Sequence, residues 1–360
     1  MHGQAARFSF RFTHSLILHA NGKCGRRLYN ICHPFSFMPP VEPSKCAKCL
    51  MRAGEGEHHL CMPEAKRIVV KIGTDVLVKP TGELDHHRIG DLVEQLAKLR
   101  KEGKEIIVVT SGAIGAGKDK ARQHGIRPPV GISEMAKDKF YASLGQPRLM
   151  DYYSQFFSGH HVAVAQLLPS RKDLQKKEVV KMFAESINNA VDAGVIPILN
   201  ENDPLSHAEI EPLEKKSPRK TGRIVFGDND VLAASVASIG QADLLVLLTD
   251  VEGIYDKDPN KHPDAKLLRT LQGIPPELRA KAAEATGGGR GGTRTKFHAA
   301  DIANLSGIPV VIAHGGKKNV LLDIVRGEKG HGTIICPPTA GRTGWLKLVS
   351  KLGKLFTGSA

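Results

Sequence analysis

The sequence predicts an α/β protein, a three-layer αβα sandwich around a mainly parallel central sheet. Three observations predict it. Short β-rich runs recur at RIVVKI, EIIVVT, HVAVAQLL, VIPILN, DLLVLLT and IPVVIA; stretches of helical period separate most of them; and the runs are nearly continuously apolar. Strands covered on both faces read this way, whereas a sheet with one wet face alternates. Helices between such strands supply the two covers.

The first run starts at Arg67 and delivers Lys71-Ile-Gly-Thr74 at its end. Ile89, Leu92, Val93, Leu96 and Leu99 then recur on one face of a helix that ends near Gly103. The second run delivers Thr110-Ser-Gly112, the fourth Asn200-Glu-Asn-Asp203, and the fifth Thr249-Asp250. Gly, Asn and Asp make turns for local reasons alone, so any single cluster is weak. Four of them at the carboxyl ends of strands mark the edge where open α/β sheets bind ligands.

The stretch TSGAIGAGKDK, Thr110 to Lys120, has the Gly-x-x-x-x-Gly-Lys spacing of a phosphate-binding P-loop, with Gly112, Gly117 and Lys118. A P-loop needs a Ser or Thr next for magnesium, and here the residue is Asp119, whose charge would repel a nucleotide. The better reading is a strand-to-helix glycine turn whose Ser111 and backbone amides receive a carboxylate. Lys118 is then a helix-surface residue.

Better phosphate candidates lie elsewhere. Lys71 is an ion at the end of an apolar strand, where burial without a partner is costly, so it is expected to face an anion. Gly73 allows close backbone approach and Thr74 adds a hydroxyl. Lys296 closes the run TGGGRGGTRTK where a helix resumes, so amides, a helix amino terminus and an ammonium can meet phosphate oxygens; a flexible linker is the plainer alternative. Of the carboxylates, Asp203 suits a substrate ammonium, and Asp228 in Gly227-Asp-Asn-Asp230 suits a helix cap. Asp230 is not needed for capping and can hold the two lysines.

In order and spacing, KIGT, TSGAIGAG, NEND, GDND, LTDVEGIYDKDP and the GG-x-x-TK ending resemble the glutamate 5-kinases of the amino acid kinase family, over about Lys66 to Trp345. The resemblance implies the amino acid kinase fold and transfer of the ATP γ-phosphoryl group to the side-chain carboxylate of L-glutamate, the first step toward proline. Such a carboxylate is already ionised at neutral pH, so no general base is needed. Aligning two anionic reactants is the main task. The resemblance places Lys71 on the transferred phosphoryl group, Lys296 on the nucleotide phosphates, and Asp230 between the lysines as catalytic residues. It places Ser111, Gly112, Ala113, Asp203 and Asn229 on glutamate. Thr249, Asp250, Arg290, Gly291, Gly292, Thr293, Arg294, Thr295 and Lys296, with Lys71 and Gly73, line the ATP site. Magnesium rides on ATP oxygens rather than on a protein metal site. A silent sensor of the same fold, or a kinase for another carboxylate, is the alternative; the sensor is disfavoured because Lys71, Lys296 and Asp230 are all present.

The chain departs from that family in three places. Gly291-Gly-Thr-Arg-Thr-Lys296 puts Arg294 in the nucleotide loop, the basic stretch at 211–223 lengthens the connection associated with glutamate binding and possible proline feedback, and no PUA domain follows.

Charge and composition limit the remaining classes. Of the net charge of +14, residues 1–66 carry nine Lys or Arg against four Asp or Glu, and residues 341–360 add four basic residues and no acid, together +9. The long middle holds only +5, and aromatics make up 5% of the chain, so neither a basic stripe nor stacking platforms suggest nucleic-acid binding. LLVLL at Leu244–Leu248 is far shorter than the roughly 20 residues of a membrane span. A body with only Cys336 fits a reducing compartment, and a cytoplasmic homo-oligomer is expected.

Residues 1–61 read as a leader, 62–340 as the kinase domain and 341–360 as a basic amphipathic tail. The absence of Asp and Glu from 1–41 is compatible with a transit peptide, but a start at Met62, five residues before the first strand, is preferred. Cys46, Cys49, His58 and Cys61 could supply zinc ligands, although the second half of the usual spacing is missing. In the tail, Leu346, Val349 and Phe356 oppose Lys347, Lys351 and Lys354, which suits packing on protein better than stable membrane insertion.

Overall fold

The structure, a computed structural model, describes residues 64–170, 173–205, 229–259, 261–284, 292–328 and 330–338. The leader with its Cys and His residues, Met62, the 211–223 stretch, Gly227, Asp228, Arg290, Gly291 and the tail lie outside the described residues.

The chain runs through β1 (Arg67–Ile72), the single turn α1 (Thr74–Leu77), α2 (His86–Lys101), β2 (Glu105–Thr110), α3 (Ala113–Gln123), α4 (Glu134–Ser158) and β3 (Val164–Leu167). A 3-10 turn at Asp173–Gln175 leads to α5 (Lys177–Asp192) and β4 (Ile196–Leu199). Then come α6 (Asn229–Ile239), β5 (Leu244–Thr249), β6 (Ile254–Tyr255), β7 (Leu267–Leu268), β8 (Thr270–Gln272), α7 (Pro276–Glu284), α8 (Thr293–Leu305), β9 (Val310–His314), α9 (Val320–Arg326) and β10 (Thr333–Cys336).

Eight strands form one sheet in the order β3-β4-β2-β1-β5-β9-β10-β8, and β6 pairs with β7 apart from it. Every pairing in the large sheet is parallel except β9 with β10. The expected mainly parallel sheet is therefore present, with one antiparallel pairing that the sequence reading did not contain. β6, β7, β8 and β10 have two to four residues each, too few to show a period.

Alternation along β1 divides the core. Ile68, Val70 and Ile72 pack with α2, α4 and α9 on one face, while Val69 points to the other, with α5, α6, α7 and α8. Period two puts Lys71 on the side of Val69, toward α6 and α8. A strand built to fill two hydrophobic layers thus ends by sending the Lys71 charge under the sheet, between those two helices.

The glycines of the α3 turn have separate jobs. Gly112 has φ 97°, a left-handed conformation that lets β2 turn abruptly into α3. Gly117 has a packing job: a Cβ there would come within 1.7 Å of the Tyr141 carbonyl oxygen, and one on Gly145 within 1.8 Å of the Ala113 oxygen. Helices α3 and α4 cross backbone to backbone at these two glycines, so α4 lies directly behind the turn. Pro147 sits inside α4. Both it and Ser143, whose carbonyl loses its helical donor, are exposed, so water can take that group.

Candidate active site

A cavity of about 730 Å³ opens at the carboxyl edge of the sheet. β1 contributes Lys71 and leads into Gly73, Thr74 and Asp75, β2 leads into Ser111 to Gly115, β4 into Asn200, Glu201 and Asp203, and β5 contributes Thr249. Asn229 and Lys296 enter from the first turns of α6 and α8. Lys71 and Thr249 belong to their strands rather than following them.

One side of the cavity is ionic. Lys71 Nζ lies 2.6 Å from Asp230 Oδ1, and Lys296 Nζ lies 3.6 Å from Oδ2. The Thr295 hydroxyl donates to Oδ2 at 3.0 Å and to the Gly292 carbonyl at 2.8 Å. Asp230 is fully buried, and both lysines are nearly so. Burial pushes the Asp230 carboxyl up, but the charges of Lys71 and Lys296, with hydrogen bonds from Lys71 and Thr295, hold it below the usual carboxylate range. Two ammoniums thus converge on one carboxylate at the cavity wall. That arrangement presents fixed charge to an anion in a place where water screens it poorly.

The local backbone extends this side. Gly292 caps α8 without a side-chain bond; the Thr295 and Lys296 amides donate to its carbonyl, and the helix presents its amino terminus, the end that suits an anion. Gly73 donates its amide to the Leu248 carbonyl, and a Cβ there would come within 3.2 Å of that oxygen and 3.6 Å of Lys71 Nζ. A side chain at this position would crowd the ammonium. Thr293, Arg294 and Asp250 are exposed and do not line the cavity; the Thr249 hydroxyl donates to Asp250 Oδ1 at 3.1 Å.

The other side joins amides and hydroxyls to the carboxylates of Glu201 and Asp203. Asn229 Nδ2 donates at 2.9 Å to the Thr110 carbonyl, Ser111 Oγ and Asn200 Oδ1. The Thr110 carbonyl can only accept, which fixes the amide's direction and leaves Asn229 Oδ1 as the acceptor it can offer a ligand. Ser111 Oγ accepts from Asn229, so its own proton can be donated to a carboxylate. Asn200 Oδ1 also accepts from the Glu201 amide at 2.9 Å, and its Nδ2 donates to Gln146 Oε1 at 2.8 Å.

Sequence reasoning missed Asn200, Glu201 and Gln146. Asn200 and Glu201 stood in the NEND cluster, from which only Asp203 was selected. Gln146 had no signal, because a lone glutamine in a helix is ordinary. Asp119 also borders the cavity, paired with Arg122 at 2.8 Å and accepting from Gln123 at 3.0 Å. The Lys118 side chain is 57% exposed, 3.9 Å from Asp138, and stands over the Tyr141 ring.

A parallel sheet with two lysines on one buried aspartate at its carboxyl edge defines a class. The sequence model described as the amino acid kinase family matches residues 66–314, and the chain belongs to that family. Within it, the chain is similar to the glutamate 5-kinase of Dehalococcoides mccartyi (strain ATCC BAA-2266 / KCTC 15142 / 195), with 39% identity over 277 residues, 76% of this chain and 69% of that protein. It is equally similar to the glutamate 5-kinase of Shewanella halifaxensis (strain HAW-EB4), with 39% identity over 284 residues, 78% of this chain and 71% of that protein. Among solved structures, the UMP kinase from Bacillus anthracis superposes with a TM-score of 0.49 at 14% identity, covering 76% of this chain and 97% of that one.

Proposed function

We propose that the protein phosphorylates the side-chain carboxylate of L-glutamate with ATP, giving L-glutamyl 5-phosphate and ADP, the first step of proline biosynthesis. The observation that carries this reading is the two-sided cavity, with Lys71, Asp230 and Lys296 on one side and Ser111, Asn229 and Asn200 on the other. The similarity to glutamate 5-kinases selects the substrate.

In this reading the γ-carboxylate oxygen attacks the γ-phosphorus, the bond to the β,γ-bridging oxygen breaks, and ADP leaves. The nucleophile is already ionised, so no proton has to be removed. Lys71 reaches the transferred group, Lys296 and the amino terminus of α8 hold the nucleotide phosphates, and Asp230 keeps both ammoniums in place. The turn at Ser111, Gly112 and Ala113 receives the amino acid carboxylate, while Asn229 Oδ1 and Asp203 accept from its ammonium. Asp230 is engaged by Lys71, Lys296 and Thr295, so magnesium is carried by phosphate oxygens, where it neutralises charge.

Residues 62–340 form the kinase domain in this reading, which extends to a cytoplasmic homo-oligomer with proline as a feedback ligand. ADP release is expected with glutamate and not with aspartate, acetylglutamate or uridine monophosphate. No release with any of the four would overturn the reading in favour of a silent sensor; release with another acceptor alone would reassign the substrate. Light scattering and the same assay with added proline test the oligomer and the feedback.

A further inference from the structure

We propose that Gln146 is a positioning residue for the amino acid side of the cavity, acting through the Asn200 carboxamide on Asn229. The inference rests on the reading of that side as the glutamate site. Gln146 lies on α4, next to Gly145, whose missing side chain lets α4 touch the backbone of the turn at Ala113. Close approach at Gly145 brings the glutamine into the site from behind. It is 9% exposed, and it does not line the cavity.

The orientation of each amide follows from a backbone group. The Glu201 N–H can only donate, and it donates to Asn200 Oδ1, so Asn200 must turn its Nδ2 toward Gln146. Gln146 must then present Oε1, which accepts that bond at 2.8 Å. At the far end, the Thr110 carbonyl can only accept, so Asn229 turns Nδ2 inward and Oδ1 is its remaining acceptor. Asn200 stands between these fixed points, with Oδ1 shared by the Glu201 amide and Asn229.

Gln146 Nε2 is buried with no hydrogen-bond partner. A glutamine placed only to bind the protein together would use both ends of its amide, because a buried donor left unmade is costly. Here the side chain contributes through Oε1 alone, to a residue that borders the cavity. Without that acceptor, Asn200 Nδ2 would be a buried donor without a partner, and the carboxamide would gain by rotating. Rotation would set an NH2 group against Asn229 Nδ2 and the Glu201 amide, disturbing the acceptor that Asn229 offers to substrate.

The test uses the full chain and steady-state kinetics. Gln146→Met keeps volume and removes the acceptor, so the KM for glutamate is expected to rise about tenfold, with kcat and the KM for ATP within about twofold. Gln146→Glu gives up only the NH2 that has no partner. A buried carboxyl offers an acceptor oxygen whether ionised or neutral, so its KM for glutamate is expected within about threefold of wild type. If Gln146 works through Asn200, adding Gln146→Met to Asn200→Ala changes the KM by less than about twofold.

An unchanged KM for glutamate in Gln146→Met, equal rises for both substrates, or full multiplication in the double variant would overturn the positioning role. A Gln146→Glu protein as impaired as Gln146→Met would do the same, including where Gln146→Met proves too unstable to assay. Wild-type protein without glutamate-dependent ADP release would overturn both this role and the reading on which it rests.

Discussion

In the proposed reading one side of the cavity takes phosphate and the other the amino acid, and the two are organised by different means. On the phosphate side, a fully buried carboxylate holds two ammoniums, and the order comes from charge. On the amino acid side, Asn229, Asn200 and Gln146 form a chain of neutral amides whose directions are set at each end by a backbone group. The difference teaches where each kind of interaction works. Phosphoryl transfer spreads negative charge that changes along the reaction, and fixed positive charge stabilises that change. An amino acid zwitterion keeps its main-chain charges throughout, so its site needs charges and dipoles matched to a constant pattern. Loss of Lys71 should therefore appear in kcat, loss of Lys296 in the KM for ATP, and damage to the second side in the KM for glutamate.

Lys71→Ala breaks the comparison most severely. The lysine acts on charge that develops during transfer, so kcat is expected to fall about a thousandfold, while the KM for glutamate moves less than about threefold. Circular dichroism should show a folded protein. Near-normal turnover would mean that the ionic side does not serve the chemistry.

Asp230→Asn comes next and has a second readout. Removing the carboxylate leaves two buried ammoniums facing each other, so stability at neutral pH is expected to fall by about 3 kcal/mol, with kcat lowered about tenfold. Because the Asp230 carboxyl is held below its ordinary range, it contributes stability above an unfolded pKa of about 3.9 and loses it as pH falls through the lower folded value. Urea unfolding should thus show the gap between wild type and variant narrowing below about pH 4. A gap that stays constant into acid would disconnect the stability loss from the charge of Asp230.

How much of this contrast was legible in the sequence follows from what each side is made of. Charged residues at the ends of apolar runs stand out, so Lys71, Asp230 and Lys296 could be selected before any fold was known. The sheet was legible too: six nearly continuous apolar runs, most of them separated by stretches of helical period, mark strands buried on both faces. Amides carry no such signal. Asn200 looked like one turn former among several, and Gln146 is 54 residues away from its partner. The purpose of Gly117 was hidden too, since its spacing imitated a phosphate loop while its cause, the Tyr141 carbonyl, lies on another helix. Pairings between distant short segments, including antiparallel β9 with β10, depend on tertiary context that a local period does not record.

Asp203→Ala addresses the second side through its carboxylate. Asp203 borders the cavity beyond β4 and is half-buried. As an acceptor for the substrate ammonium it should act mainly on binding, with the KM for glutamate raised about tenfold and kcat within about threefold. An unchanged KM would remove Asp203 from the site and leave the ammonium to Asn229.

The smallest expected effect separates the two sides most cleanly. If TSGAIGAGK were a phosphate loop, Lys118 would be its phosphate lysine, and Lys118→Ala would raise the KM for ATP as strongly as a change at Lys296. Lys118 borders the cavity, but its surroundings are not those of a phosphate loop: Gly112 makes a left-handed turn, Gly117 clears a path for α4, and the Lys118 side chain is 57% exposed, near Asp138 and Tyr141. An exposed ion pair of this kind contributes little, because water screens it and the long side chain must be held still. Lys118→Ala should therefore leave the KM for ATP within about twofold of wild type, whereas Lys296→Ala raises it at least about tenfold. A Lys118 effect as large as that of Lys296 would move the phosphate site onto α3 and remove the distinction between the two sides.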